Sequence, residues 1–246
     1  MNREKREEHS RLKKEHWSEF EYKKWFSTKR GKLVDQLEKS ALRKIFEDSH
    51  FNQMLDVGIG NGRLMPLYRD KIDKIVCIDI SQHLLNEASE IASELNLNAE
   101  FIQCEDASQL DFNDEVFDGL ICSRVLQHLY EWRSAIKDFH RVLKPGGTLI
   151  LMTYNRWSIY GIVKWIQHLF NTQKGSFRNP VSLKSVLKIN GFKIENYSGA
   201  MIFQPSIIPS LLMSNPGDLL IKFDAFANHR PFNWFGERII IKARKN

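Results

Sequence analysis

Met54-Leu55-Asp56-Val57-Gly58-Ile59-Gly60-Asn61-Gly62-Arg63-Leu64 decides the fold of this 246-residue chain. Gln53–Val57 is a short apolar run that reads as a buried strand, and it ends in three glycines at alternate positions. Such a turn, placed after the first strand of an α/β sheet, lets a ligand approach the backbone. A dinucleotide-binding turn needs GxGxxG, and Arg63 stands where its last glycine should be. The dinucleotide fingerprint therefore fails on its own spacing.

Outward from this turn, strands and helices alternate. Lys74–Ile80, Ala99–Cys104, a stretch within Val116–Ser123, and Thr148–Thr153 read as further strands. Between them, Arg63–Asp70 reads as a short helix. Ser81 N-caps a helix from Gln82 to about Leu95, and Trp132–Leu143 is an amphipathic helix stopped by Lys144-Pro145-Gly146-Gly147. The alternation predicts a mostly parallel sheet with helices on both faces and right-handed crossovers. Before the turn, residues 10–48 carry a helical stripe of Leu33, Leu37, Ala41 and Ile45, widened by Val34 and Leu42. After the fifth strand, Trp157–Phe170 and Leu183–Asn190 read as helices, the latter capped by Gly191. Phe192–Tyr197 and Arg238–Ala243 read as closing strands, and Gly199–Asp218 carries no clear pattern.

Three acids stand at three successive strand ends: Asp56, Asp79 and Asp106. A carboxylate two residues before the first glycine repels a pyrophosphate and attracts a cationic amino-acid group. Asp79 lies 21 residues after Gly58, where an acid typically accepts from both ribose hydroxyls. Its other reading is a loop-capping aspartate. Asp106 can accept from the adenine amine, with the backbone N–H of Ala107 meeting a ring nitrogen; its other reading is a helix cap. Together they line one crevice, and their charge favours S-adenosylmethionine, with its ammonium and sulfonium and no phosphate, over NAD.

MLDVGIGNGRL (54–64), VCIDIS (76–81), CEDASQLDF (104–112), FDGLICSRVLQHL (117–129) and RVLKPGGTLIL (141–151) together resemble the class I methyltransferases, in particular the UbiE/UbiG-like group. YKKWFST (22–28) looks like that group's YDxWFxT opening, with Lys23 in place of its acid, and PFNWFGERIIIKARK (231–245) like its closing strand. Ile59 replaces a frequent cysteine. The resemblance implies a Rossmann-like, seven-stranded sheet whose last strand runs antiparallel between the fifth and sixth, with an N-terminal helical lid. It implies a single domain: arm or lid in residues 1–50, cofactor core in 51–153, and substrate-side insertions with closing strands in 154–246. It further implies that Asp56, Gly58 and Gly60, with Asn61 and Gly62 of the same turn, hold the methionine part. Asp79 and Ile80 would hold the ribose, and Asp106 and Ala107 the adenine. Ser123 would sit beside the methionine, and S-adenosylhomocysteine is the expected product.

His128 follows the fourth strand near the expected site and is a candidate base; a structural hydrogen-bonding role is the other reading. A base helps only if the acceptor must lose a proton. Tyr22 and Trp25 either close over the cofactor or pack an N-terminal helix. The segments 154–180 and 199–235 are apolar and point either to a pocket for a small-molecule acceptor with an apolar portion, or to a dimer interface or extra core.

The net charge is +6, and residues 1–32 hold eleven Lys/Arg against six Glu. That arm reads as solvated; an electrostatic contact with nucleic acid is the sharper reading, which the interleaved glutamates disfavour. An RNA or protein methyltransferase is thus one alternative, and a non-catalytic cofactor-binding protein or distant oxidoreductase another. Ser123-Arg124-Val125-Leu126 lacks the Asn/Asp-Pro-Pro-Tyr/Phe pattern of base and glutamine methylation. Cys77, Cys104 and Cys122 form no CxxC pair and read as reduced core thiols, so no metal is expected. No apolar run reaches the ~18–20 residues of a membrane span, and the charged opening lacks a signal-peptide core, so a cytoplasmic location is the expectation.

Overall fold

The computed structural model describes residues 22–162, 177–201 and 234–246. Thr28 breaks the N-terminal helix. Its hydroxyl donates to the Trp25 carbonyl (2.7 Å) and accepts from the Gly31 amide (3.0 Å). One side chain thus ends α1 (Tyr22–Ser27) and caps α2 (Lys29–Phe46). The single helix expected over 10–48 is two helices in its described part.

Seven strands follow: β1 (Phe51–Val57), β2 (Ile72–Asp79), β3 (Ala99–Gln103), β4 (Phe117–Ser123), β5 (Leu143–Tyr154), β6 (Phe192–Ala200) and β7 (Arg238–Lys245). They form one sheet in the order β3-β2-β1-β4-β5-β7-β6. The first five are parallel, and β7 lies antiparallel between β5 and β6. This is the topology the family resemblance implies.

Alternation of side chains sends neighbours to opposite faces. Met54, Cys77, Ile121 and Ile150 join one buried cluster with Leu33, Leu37 and Phe46 of α2. Met65 and Tyr68 of α3 (Met65–Tyr68) and Leu85 and Ala88 of α4 (Gln82–Glu94) complete it. Leu55, Val76, Leu120 and Leu149 join a second cluster, covered by Ala135, Ile136 and Phe139 of α5 (Trp132–Val142) and Leu183 and Leu187 of α6 (Pro180–Ile189). The sheet is therefore sealed on both faces.

Three boundaries differ from expectation. Residues 63–70 yield only α3, with Pro66 in its first turn, and a 3₁₀ turn at Arg69–Lys71. Lys144-Pro145-Gly146-Gly147 does not separate helix from strand: β5 begins at Leu143, and its register with β4 shifts between Phe117 and Gly119. An irregularity in the ladder absorbs the Pro-Gly run, with Gly146 at φ +73°. α6 starts at Pro180 because Asn179 Oδ1 accepts from Val181 N (2.9 Å) and Ser182 N (3.3 Å). Of the helix expected over Trp157–Phe170, residues 159–162 are helical and 163–170 lie outside the described residues.

Candidate functional site

The chain runs from β1 through β2 to β3 on one side of the sheet, then returns to β4 on the other side of β1. A crevice opens at such a reversal, at the carboxyl ends of the strands. The register pairs Val57 with Ile78 and with Cys122, so the ends of β1, β2 and β4 are level.

Gly58, Gly60 and Gly62 sit at φ +73°, +58° and +78°. All three occupy left-handed backbone that other residues adopt only at a cost. A Cβ on Gly58 would stand 2.0 Å from Val125 Cγ2, so the turn after β1 closes against the segment after β4. Gly58 N and Ile59 N donate to Ile78 O (2.7 and 3.1 Å).

Asp79 ties the turn to β2. Gly60 N donates to its Oδ2 and Ser81 N to its Oδ1, both at 2.9 Å. Burial raises its carboxyl above the usual range, and these amides oppose the shift. Asp56 is 2% exposed and accepts from the Tyr68 hydroxyl at 2.6 Å. Burial pushes its carboxyl up to about 7; the Tyr68 bond opposes this, the charge of Asp79 adds to it, and Arg63 opposes it. Asp106 Oδ1 accepts from Ser108 N (2.9 Å) and Ser108 Oγ (2.6 Å), which leaves Oδ2 as the oxygen outside that turn.

One cleft is lined by Asp56, Gly58, Gly60, Asn61, Asp79, Ile80, Asp106, Ala107, Ser123 and His128 together. Gly62 is not among its walls; it faces Ala88 of α4. Trp25 packs on the buried cluster beneath α2 and against Phe26, away from the cleft lining. Tyr22 opens α1, and its side chain lies outside the described residues. His128 closes a 3₁₀ turn (Leu126–His128), where Gln127 Nε2 approaches its Nε2 at 3.2 Å. Burial raises the thiol pKa values of Cys77, Cys104 and Cys122, and no group of metal-ligating side chains occurs among the described residues.

Two buried oxygens on the cleft wall, Asn61 Oδ1 and Ser123 Oγ, have no hydrogen-bond partner among the described residues. Buried polar atoms are almost always paired, so each has hydrogen-bonding capacity open toward a ligand in the cleft. Orphaned polar atoms beside a glycine cradle, with two buried acids below it, fit an adenosyl ligand bearing an ammonium. The same acids would repel a pyrophosphate.

Sequence reading missed a buried ion cluster beside this cleft. Glu38 of α2 is fully buried and pairs with Arg63, with Arg238 Nε (2.9 Å) and with Arg124 (3.7 Å). Arg63 also meets Asp35 (2.7 Å), and Arg238 meets Glu237. Burial alone would raise the Glu38 carboxyl, but Arg124, Arg63 and Arg238 bring it down to about 2. Arg63 and Arg124 both line the cleft. The signal was present: Glu38 falls four residues after Val34 and four before Leu42, on the apolar stripe itself.

Two groups of aromatic side chains follow, one of them against Arg124. The Arg124 guanidinium reaches the Tyr154 hydroxyl (3.5 Å), and Tyr154 meets Phe177 (5.3 Å between centroids). Trp157 stacks on Trp234 (5.7 Å), which meets Tyr197 (5.2 Å). Asn155 staples the second group: its Nδ2 donates to Trp234 O and Gly236 O, and its Oδ1 accepts from Trp157 N.

Residues 55–151 match a family model described as a methyltransferase domain. The chain is 33% identical over 178 residues to an uncharacterized protein of Methanocaldococcus jannaschii, covering 71% of each. It is 32% identical over 168 residues to the mitochondrial ubiquinone biosynthesis O-methyltransferase of Rattus norvegicus, covering 62% of this chain and 47% of that protein, so it spans about half that relative's length. Its fold is similar to that of an S-adenosylmethionine-dependent methyltransferase of Thermotoga maritima, with TM-score 0.62, 19% identity, and 96% and 97% of the two chains covered.

Proposed function

Because the chain belongs to the class I S-adenosylmethionine-dependent methyltransferases of the UbiE/UbiG type, we propose that it methylates an oxygen, nitrogen or carbon of a small-molecule acceptor with a planar, apolar portion. The observation that carries this reading is the aromatic set beside the Arg124 rim of the cleft, where Tyr154 meets both Arg124 and Phe177, and Phe177 meets Tyr160. Aromatic faces stack on planar apolar molecules and offer little to a small polar one. The ubiquinone biosynthesis relatives act in a pathway whose name agrees with such an acceptor.

S-adenosylmethionine supplies an activated methyl group on a sulfonium. The chain's residues then have to hold, align and dry the reacting atoms. In this reading Asp56 faces the ammonium, with Gly58, Gly60, Asn61 and Ser123 around the methionine part. Asp79 and Ile80 take the ribose hydroxyls, and Asp106 and Ala107 the adenine edge. Gly62 supports the turn from behind; Tyr22 and Trp25 belong to α1, where Trp25 packs against the buried cluster. The chain works as one domain, in the cytoplasm, without a metal; dimerisation and nucleic-acid contact belong to the alternatives. No helix among the described residues is long and apolar enough to cross a membrane.

The test is transfer of a labelled methyl group to a panel of phenols and quinols with and without aliphatic tails, small polar amines and acids, and bulk RNA. Turnover led by the ring compounds is the expected result. Turnover confined to the polar compounds or to RNA contradicts it.

A further inference from the structure

Among the described residues Gln127 makes three side-chain hydrogen-bonding contacts, and together they fix the state of its neighbour. Its Nε2 donates to Arg124 O at 2.5 Å and lies 3.2 Å from His128 Nε2. Its Oε1 accepts from Thr153 Oγ1 at 3.1 Å. An amide oxygen and nitrogen look alike in outline, so their assignment must come from the partners. Here the partner decides it. A backbone carbonyl can only accept, so the atom facing Arg124 O has to be the amide nitrogen. Thr153, on β5, takes the oxygen, since its hydroxyl serves as either donor or acceptor. Both amide hydrogens then have a place: one on Arg124 O, the other on His128 Nε2.

Neutral imidazole has one N–H and one lone pair. If Nε2 accepts from Gln127, the ring proton sits on Nδ1, because the bond made by one ring nitrogen sets the state of the other. The arrangement is braced from several sides. Gln127 is 7% exposed, and Thr153 is fully buried. His128 N donates to Val125 O at 2.7 Å, and Arg124 holds its carbonyl in position from left-handed backbone at φ +61°.

We propose that Gln127 is a positioning residue that locks His128, on the cleft wall, in its Nδ1–H tautomer, so that its Nε2 lone pair is engaged and the imidazole does not serve as a base. Taking up a proton at Nε2 would set N–H against N–H and break the Gln127 bond. The acceptor must therefore bring an attacking atom that is already deprotonated or readily loses its proton to water. An acidic ring hydroxyl fits this requirement and an aliphatic alcohol does not. This consequence rests on the methyltransferase reading; the tautomer itself does not.

The experiment is nitrogen NMR of the full chain labelled with ¹⁵N-histidine, at a pH where imidazoles are neutral, with His128→Ala to assign the signal. The native protein is expected to show Nδ1–H at His128, and Gln127→Met, which keeps volume and removes the donor, to shift it toward Nε2–H. An Nε2–H ring in the native protein overturns the proposal, and that measurement stands even if the variant does not fold. An Nδ1–H ring that persists in a folded Gln127→Met variant also overturns it. Neither outcome depends on methyl transfer, so a failure here is distinct from a failure of the activity.

Discussion

Asp56 shows how one residue couples the fold to its ligand. Its folded carboxyl pKa, about 7, lies above the ordinary carboxylate value, so the native state holds a proton that the unfolded chain has released. Stability from this group is therefore full below the ordinary value and is lost as pH rises toward 7. An ammonium beside it reverses the preference by favouring the carboxylate. Cofactor binding below pH 7 should release a proton from the protein, and affinity should weaken as pH falls through 7; titration calorimetry in two buffers of different ionisation enthalpy reads this directly. Equal heats in the two buffers would show that Asp56 does not meet the ammonium. Asp79→Asn removes a charged acceptor while keeping the side chain's shape. Hydrogen bonds to charged groups contribute ~1.5–3 kcal/mol, so S-adenosylhomocysteine should bind roughly 10- to 100-fold more weakly, and because Asn can serve only one of Gly60 N and Ser81 N the denaturation midpoint should fall as well. The glycines separate in the same way. Gly58→Ala drives a methyl into Val125 and should abolish binding. Gly62→Ala meets Ala88 at 3.2 Å behind the turn, and its left-handed backbone costs ~1–2 kcal/mol, seen as a lower denaturation midpoint with binding retained. The acids were legible because charge and spacing speak for themselves. The division of labour among the glycines was not, because it depends on which element stands behind each one.

α2 joins the N-terminal region to the cleft through a fully buried acid, Glu38. Glu38 is the shared counter-ion of Arg63 after the glycine turn, Arg124 after β4 and Arg238 at the start of β7. Removing one member of a buried ion group leaves uncompensated charge and costs ~3–5 kcal/mol. Glu38→Gln should lower the urea midpoint accordingly, whereas Asp35→Asn, at the partly exposed edge, should cost about 1 kcal/mol or less. A Glu38→Gln loss no larger than that of Asp35→Asn would remove the cluster from the account. The folded carboxyl is held below its ordinary value, so its stabilisation is present at neutral pH and is lost as pH falls toward 2. The elements themselves were read well wherever a period was unbroken: Ser81 caps α4, with its Oγ accepting from Leu84 N at 3.4 Å, and Gly191 follows α6 at φ +84°. Reading failed where local chemistry overrode the pattern. Thr28 cuts one helix into two, Asn179 starts α6 early, and β5 continues through a Pro-Gly run that ordinarily ends an element. Glu38 went unnoticed because an acid on an apolar stripe is informative only once its three arginines, distant in sequence, are seen around it.

At the scale of the whole molecule, the strand order puts three acids from three strand ends around one crevice at the β1/β4 reversal. That arrangement was visible in the sequence, since each acid stands at or just past the end of a strand and the strands are parallel. The side proposed for the acceptor was visible only as the apolar segments 154–180 and 199–235; that Trp157, Trp234 and Tyr197 meet depends on the β5-β7-β6 pairing and the Asn155 contacts, which no local spacing announces. The central claim is that this crevice takes a phosphate-free adenosyl cation and refuses a dinucleotide. Titration calorimetry of the intact chain with S-adenosylmethionine, S-adenosylhomocysteine and NADH tests it most directly. The account predicts one site for each adenosyl ligand and no binding of NADH. Binding of NADH as tight as that of S-adenosylmethionine, or no heat from either adenosyl ligand, would contradict it.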